Sequence, residues 1–437
     1  MSIDLLKYFR KKKTDPYTLR FQIGRFVETD RNDLQYELWD RAMKHFQKGS
    51  FKESITCLLS YLNHQNTQNL EFQTTEHEQI SFRLYQGSKI IEGYTTENFI
   101  FAEAKIVKIG DLEPSILLPI LEENYLLTYT KFGLDSDNHL TTVFYSELQT
   151  ASPYKLYYGL KELALKADQK DDYFVKIYPE IQHVNTQHLI YNDDGVVQSK
   201  YTLFRSAYKL CQELVMKSLD QKNHPIASYH ILSFIYMVDY LLKPEGYIKS
   251  IIDDILTEYQ YKPKLTLENR VRQMNSLLDK LGEISLQEFR NEMYDTISTF
   301  SLRNPIPPHR LSRTLAKEME LAQYHLSHNN DFAATAHLDF VVGYMAYHYA
   351  LTFSLRQIIL LYYIAIFPDF FQQCQAFGPN EKMDKKFMKN ILSSIPNKLS
   401  AREISKLWSD NTSPIQKRIQ LIKIMIQLTN EKEANII

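Results

Sequence analysis

The sequence of 437 residues predicts two fold classes in succession. An α+β domain, with an antiparallel sheet that carries helices on one face, is followed by an all-α helical domain. Two observations support this prediction. Between residues 70 and 110, apolar and polar residues alternate, with β-branched and aromatic side chains and glycine-containing turns, as in an antiparallel meander. From Tyr201 onwards, apolar residues recur at the three- and four-residue spacing of helices.

The same patterns divide the chain into segments. We expect an N-terminal extension, an α+β domain, a linker or hairpin, and a helical domain, at residues 1–31, 32–175, 176–200 and 201–437. The clearest break within the helical part is Asn304-Pro305-Ile306-Pro307-Pro308, where the prolines interrupt helical hydrogen bonding. A subdivision of the helical domain near residue 304 is therefore expected.

The α+β domain is predicted to begin with two helices, or one kinked helix, over residues 32–62. Gly49 and Ser50 interrupt the apolar pattern there. Ser50 is expected to cap the second helix, with Glu53 three residues later as its capping-box partner. The alternating residues 70–110 are then expected to form three antiparallel strands.

A further helix is predicted over residues 115–131. It is apolar on much of its circumference, so we expect it to be covered on two sides and Leu126 to be buried. The segment Phe132-Gly133-Leu134-Asp135 is expected to form the turn that ends it. Residues 140–147 are predicted to form a strand, and Tyr154–Lys170 the closing helix of the domain.

Residues 174–200 are predicted to be a linker with some β-structure, in which Asn192-Asp193-Asp194-Gly195 is the turn of a hairpin. The helices expected beyond it are Tyr201–Leu219, His230–Leu242, Tyr247–Tyr259, Thr266–Leu281, Ser285–Phe300, Arg310–Asn329, Asp331–Ser354, Leu355–Phe367, Gln372–Phe377, Glu381–Ile395, Ala401–Trp408 and Pro414–Asn430. The short turn Asn329-Asn330-Asp331 predicts an antiparallel pair from the helices on either side of it.

The order of elements in residues 32–175 resembles a known fold. The block Leu121-Glu122-Glu123-Asn124-Tyr125-Leu126-Leu127-Thr128-Tyr129-Thr130-Lys131-Phe132-Gly133-Leu134-Asp135, with the strand and helix after it, is similar to type III secretion chaperones. It is also similar to the related bacterial sensory-transduction-regulator (YbjN-like) family. The resemblance implies a domain that dimerises, or that wraps an extended polypeptide around hydrophobic patches on its sheet and helices. It implies no catalytic residues.

Charge and cysteine content further limit the possible partners and the cellular compartment. With 51 Lys and Arg against 52 Asp and Glu, the net charge is −1, which gives no reason to expect a nucleic acid partner. Cys57, Cys211 and Cys374 lie far apart without a CxxC pair, so we expect buried free thiols and a reducing cytoplasm.

Neither a secretory signal nor a transmembrane helix is expected. The N-terminus lacks the pattern of a secretory signal, and no apolar run is long enough for a transmembrane helix. Residues 3–13 form a short amphipathic segment that ends in basic residues. We expect it to pack on the first domain, with contact to a membrane surface as the alternative.

Histidines concentrate in one helical region, which makes them the strongest local candidates for chemistry. His325 and His328 share a helix face, as do His337 and His348. The Glu-x-x-His motif of di-metal bundles is absent, so these four are weak metal candidates and no cofactor is expected. The sequence also lacks the HExxH, P-loop, GxGxxG and GxSxG motifs.

The function predicted from these observations is binding rather than catalysis. We expect a non-enzymatic, chaperone-like adaptor that binds a polypeptide partner or self-associates, with a dimer as the simplest case. The alternative is a helical metal- or cofactor-dependent enzyme with its site near His325–His348. The aromatic clusters on predicted helices are expected to be mainly core; they are Tyr154/Tyr157/Tyr158, Tyr344/Tyr347 and Tyr362/Tyr363.

Overall fold

The computed structural model describes residues 22–64, 67–75, 79–109, 118, 120, 122–177, 181–260, 265–373, 389, 391–393, 395, 398–409 and 412–434. The chain forms two compact units. The sheet unit comprises Asp30–Ile190 and Asp295–Leu302, and the helical unit comprises Met1–Thr29, Tyr191–Tyr294 and Arg303–Ile437. The predicted fold class, α+β followed by all-α, is confirmed.

Ten strands and fourteen helices are named among the described residues. The strands are β1 (Leu70–Thr74), β2 (Ile80–Gly87), β3 (Lys89–Thr95), β4 (Phe99–Lys108), β5 (Thr130–Leu134), β6 (His139–Glu147), β7 (Gln182–His183), β8 (Ile190–Tyr191), β9 (Tyr294–Asp295) and β10 (Ile297–Ser298). The helices are α1 (Asp33–Gln47), α2 (Phe51–Leu62), α3 (Pro153–Ile177), α4 (Asp194–Asp220), α5 (His224–Met237), α6 (Gly246–Gln260), α7 (Leu267–Gly282), α8 (Leu286–Asn291), α9 (Pro308–Ser327), α10 (Asp331–His348), α11 (Phe353–Ile366), α12 (Pro368–Gln373), α13 (Lys398–Ser409) and α14 (Pro414–Ala434).

The sheet is antiparallel throughout, in the order β1-β2-β3-β4-β6-β5, and β10 and β7 add short pairings to β2 and β4. The predicted number of strands between residues 70 and 110 is wrong, because four form there rather than three. The two-residue reversal between Gln86 and Lys89 is tight enough to make β2 and β3 one hairpin.

One face of the sheet packs against the helices, as predicted. Apolar side chains of α2, α3 and the strands form a single buried cluster. Gly159 lets α3 approach closely, because a Cβ there would lie 2.3 Å from the Phe144 ring. The alternation of the strands therefore points every second side chain into this core and the others away from the helices.

The segment predicted as a buried helix over residues 115–131 is different. Among its described residues the helix reaches Glu123, and the next three residues form a turn in which Leu126 is 80% exposed. The predicted burial of Leu126 is therefore wrong. Phe132 and its two successors lie in β5, and the reversal comes later, between Asp135 and Asn138.

Asp193 and Ser50 differ from the sequence prediction in different ways. Asp193 is not in a hairpin turn but caps α4, since its carboxylate accepts a hydrogen bond from the Val196 N–H at 2.9 Å. Ser50 precedes α2 as expected, but its side chain makes no capping bond. The capping box forms instead at the start of α1, between Asn32 and Gln35.

Most helices of the helical unit match the predicted periodicity, but the predicted helix Asp331–Ser354 ends at His348. The predicted helices Gln372–Phe377 and Glu381–Ile395 lie largely outside the described residues. α9 ends at Ser327 and α10 begins at Asp331, and the two pack against each other as the short turn predicted. The predicted helix over residues 285–300 stops at Asn291 and is followed by β9 and β10.

The segment Asp295–Leu302 completes the sheet unit from a distant part of the sequence. The backbone N–H groups of Thr299 and Phe300 both donate to the side-chain oxygen of Gln86, at 3.2 and 2.9 Å. Phe300 is 1% exposed and lies in the core of the sheet unit. These contacts assign to the sheet unit a segment that lies more than a hundred residues beyond β7 along the chain.

Asp239 anchors the polar interior of the helical unit. It lies in a π-helical turn that follows α5, is 1% exposed, and accepts hydrogen bonds from Arg25 and Arg303, each at 2.6 Å. Burial opposes ionisation of Asp239, but the two guanidinium groups outweigh it and hold the pKa of the carboxyl below its usual range. The network fixes Arg303 at the start of the proline-rich break.

One helix in the described part of the chain is long and apolar enough to cross a membrane. It spans His224–Leu242, and 83% of its most apolar window is buried inside the protein, as in a core helix of a soluble protein. Cys57 and Cys211 are buried free thiols, as predicted. Cys374 and residues 3–13 lie outside the described residues.

Candidate functional site

The face of the sheet that points away from the helices carries two contrasting rows of side chains. Strand register aligns them across neighbouring strands. The uncharged row joins Gln73, Ser81, Tyr94, Phe101 and Tyr145, and the charged row joins Glu71, Arg83, Glu92, Glu103 and Val143. We call this surface the open face.

Aromatic rings on the open face contact one another while remaining accessible. The ring centroids of Tyr94 and Phe101 are 5.6 Å apart, and those of Phe99 and Tyr145 are 5.3 Å apart. Tyr94 is 46% exposed and Tyr145 is 57% exposed. An exposed aromatic cluster of this kind is typical of an interaction surface, because rigid rings provide much contact area at low entropic cost.

A depression of about 590 Å³ lies on the open face between the two rows. Its lining includes Tyr94 and Phe101 from the uncharged row, and Arg83, Glu92 and Glu103 from the charged row. A partner that occupies it would contact aromatic carbon on one side and ionised groups on the other. This lining suits an amphipathic chain better than a purely apolar ligand.

Two cations of the open face, Arg83 and Lys105, already have partners. The Arg83 Nε lies 3.0 Å from the Glu92 carboxylate, and the Lys105 Nζ lies 2.8 Å from Asp135. By contrast, neither Glu71 nor Glu103 has a cation within 4.0 Å among the described residues. Burial raises the pKa of Glu103, which Lys105 partly opposes. Near β1 the surface therefore carries the unpaired carboxylate of Glu71, whereas the exposed Lys131 continues the charged row at the far edge, beside Val143.

The outer edge of β5 is closed by side chains. The Asn124 amide accepts a hydrogen bond from the Phe132 N–H at 2.7 Å and donates to the Phe132 carbonyl at 3.2 Å. The Glu162 carboxylate accepts from three successive N–H groups, including that of Thr130 at 2.9 Å. Because its outward-facing groups are satisfied in this way, β5 does not offer a template for a further strand.

The four histidines named from the sequence do not converge on one site. His337 is buried, with its Nδ1 2.7 Å from the Glu318 carboxylate, and the His325 ring stacks 5.3 Å from it. His328 is exposed and contacts the Tyr324 carbonyl. His348 lies three helical turns further along α10, where burial lowers its pKa to about 4.

The pairing of Glu318 with His337 has no signal in the sequence, because it depends on how α9 and α10 face each other. Among the described residues, one group of three metal-type ligands has its ligand atoms within 4.8 Å of one another: Asp135, Asp137 and His139. Asp135 already binds Lys105 and accepts from the N–H groups of the other two residues. The Asp135 carboxylate is therefore already occupied by the Lys105 ammonium and two backbone N–H groups, which makes this group a poor site for a metal cation.

The aromatic residues of the open face were visible in the sequence but not singled out. Tyr94, Phe99, Phe101 and Tyr145 all occupy polar-side positions of alternating strands, and this was the available signal. Among the aromatic clusters on helices, Tyr362 and Tyr363 are core as expected, but Tyr154 and Tyr158 on α3 are exposed, so the expectation is wrong for them. No family model matches this chain, and the search of curated proteins also finds no match.

Proposed function

We propose that the sheet unit binds an extended polypeptide on its open face, and that the protein works as a non-enzymatic, chaperone-like adaptor. The observation that carries the proposal is the exposed aromatic row formed by Tyr94, Phe101 and Tyr145 with Phe99 beside it. Such rings stay exposed at a cost in solvation, which contact with a partner removes.

The resemblance to type III secretion chaperones and YbjN-like proteins supports the same proposal, because it implies polypeptide binding or self-association by a domain of this kind. A second copy of the chain is the competing occupant. The reducing cytoplasm is the proposed location, since Cys57 and Cys211 are free thiols. Neither nucleic acid nor a membrane is among the partners that we propose.

The test is binding to an array of short extended peptides of varied sequence. Tyr145→Ala removes a ring that is 57% exposed on the open face, and Tyr36→Ala removes one that is 54% exposed on α1 of the same unit. We expect Tyr145→Ala to lose about tenfold or more in affinity for the peptides that the wild-type protein selects, as for a hot-spot aromatic. The Tyr36→Ala control is expected to bind like the wild type.

The results of these experiments distinguish a peptide from a second copy of the chain as the occupant of the open face. Equal binding by Tyr145→Ala and the wild type would refute a site on the open face. Light scattering provides the second arm, because a dimer that dissociates in Tyr145→Ala but not in Tyr36→Ala would show that a second copy occupies the face.

A second candidate function is a helical metal- or cofactor-dependent enzyme, and the Glu318–His337 pair is the observation that favours it. A carboxylate that binds one imidazole nitrogen orients the ring and leaves the other nitrogen for a ligand, as in many metal sites. Metal analysis of purified protein tests this candidate. Stoichiometric metal that is lost on His337→Ala would support it and would contradict a purely adaptor role.

A further inference from the structure

The two edges of the sheet differ in what they offer to a further strand. β5 is closed by Asn124 and Glu162, as described above. At the other edge, β1 pairs with β2 on one side only, and β10 pairs with β2 further along, at Gln86 and Gly87. β1 is therefore the edge at which the open face could be extended.

Register shows which groups of β1 point outward. The Tyr85 N–H donates to the Asn69 carbonyl at 2.9 Å, and the Thr75 N–H donates to the Gln79 carbonyl at 2.8 Å. Hydrogen-bonded and non-hydrogen-bonded pairs alternate along an antiparallel ladder, so the backbone groups of Phe72 and Thr74 face away from β2. In the described part of the chain these outward groups have no hydrogen-bond partner.

The outward positions are accessible where they approach the depression. Leu70 is buried at the start of β1, but Phe72 is half-buried and Gln73 and Thr74 are exposed. Glu71, Phe72 and Gln73 also line the depression of the open face. A strand added here would place alternate side chains on the open face, beside Glu71 and Gln73.

The charge of β1 indicates which kind of polypeptide this edge would bind. β1 carries one charged side chain, the exposed Glu71, and it has no lysine or arginine. Edge strands of globular proteins are commonly protected by lysine or proline, and β1 has neither. Two copies of an acidic edge repel each other, whereas lysine or arginine in the added strand would pair with Glu71 across the strands.

We propose that a basic polypeptide segment adds to the sheet as a strand beside β1, with alternate lysine or arginine side chains over the open face. This inference rests on the proposed function and specifies its partner and its geometry. The outward main-chain groups of Phe72 and Thr74 would supply the hydrogen bonds, and Glu71 on the adjacent strand would supply the charge. The side chains between the basic ones would point to the opposite face of the added strand, the side on which Phe72 packs against the core.

The test uses two short fluorescent peptides, one of alternating leucine and lysine and one of alternating leucine and glutamate, with the full chain. Thr74→Pro removes one outward N–H and leaves the β1–β2 hydrogen bonds in place, which edge strands tolerate. Thr74→Val is its matched control, because it retains the N–H. Thermal unfolding of both variants establishes that Thr74→Pro remains folded.

We expect the lysine peptide to bind at least about tenfold more tightly than the glutamate peptide. Thr74→Pro is expected to weaken binding of the lysine peptide about tenfold, and Thr74→Val to leave it unchanged. Glu71→Gln leaves the backbone untouched, and it is expected to weaken binding of the lysine peptide about threefold at low salt only. If Thr74→Pro does not fold, the Glu71→Gln result tests whether a basic segment binds beside β1.

Equal binding by Thr74→Pro and Thr74→Val, or a preference for the glutamate peptide, would overturn this inference. If Tyr145→Ala weakened binding while folded Thr74→Pro did not, the open face would remain the site and only the strand addition would be wrong. If neither peptide nor any array peptide bound, the proposed function and this inference would both fail.

Discussion

The buried ion pair between Lys89 and Asp171 gives the sharpest prediction about stability. Both side chains are fully buried, and the Lys89 Nζ lies 2.6 Å from the Asp171 carboxylate and 2.7 Å from the Ile106 carbonyl. The other Asp171 oxygen accepts from the Ser88 hydroxyl at 2.8 Å. The pair thus ties the β2–β3 hairpin to α3, which covers the sheet.

Removing one partner leaves the other as an uncompensated charge in the core. We expect Lys89→Met to lower the free energy of unfolding of the sheet unit by about 3 to 5 kcal/mol, and Asp171→Leu to cost a similar amount. The double variant removes both charges of this pair. It is expected to recover most of the loss, because burying two apolar side chains of similar size replaces an ion pair whose desolvation was costly.

Urea unfolding measures these changes in the free energy of unfolding, provided that the signal comes from the sheet unit alone. Trp39 contacts Tyr61 and Tyr154 in that unit, and Trp408 lies in the helical unit. In a Trp408→Phe background, Trp39 fluorescence therefore reports the sheet unit. Single variants that each cost less than about 1 kcal/mol, or a double variant as unstable as the sum of the two, would refute the reasoning.

Three further predictions follow from the same contacts. Phe300→Ala should cost the sheet unit about 3 to 5 kcal/mol in the Trp39 assay, and a chain that ends at residue 200 should unfold more readily than the full chain, because it lacks this side chain. Burial lowers the pKa of His230 to about 4 from its usual 6.5, so the unfolded state binds more protons in that window and the helical unit should lose stability as the pH falls through it. Trp408 fluorescence in a Trp39→Phe background measures how the stability of the helical unit depends on pH. His230→Phe should make that pH dependence shallower. Leu126→Asp should change the free energy of unfolding by less than about 0.5 kcal/mol, because Leu126 is exposed; a loss of several kcal/mol would contradict its position in the turn.

Local sequence patterns predict most of the fold. They fail for segments whose position depends on contacts with residues that are distant in the sequence. The helices of the helical unit follow from apolar spacing, and the pairing of α9 with α10 follows from the short turn between them. The segment Asp295–Leu302 could not be assigned, since its place depends on the Gln86 side chain and the core around Phe300. Likewise, an apolar pattern around Leu126 predicts a helix but carries no information about whether that helix is covered.

The candidate site depends even more on register. The separation into an aromatic row and a charged row arises from how β2, β3, β4 and β6 align. The sequence shows which residues alternate, but it does not show which of them become neighbours across strands. For the same reason it could not show that Asn124 and Glu162 close one edge.

Hydrogen–deuterium exchange across the whole chain, with and without a peptide selected from the array, tests the central claim most directly. Binding on the open face predicts slower exchange at residues 70–75, 92–105 and 143–147, with α9 and α10 unchanged. Protection confined to α9 and α10 around Glu318 and His337, with no change in the strands, would contradict the account and place the function in the helical unit.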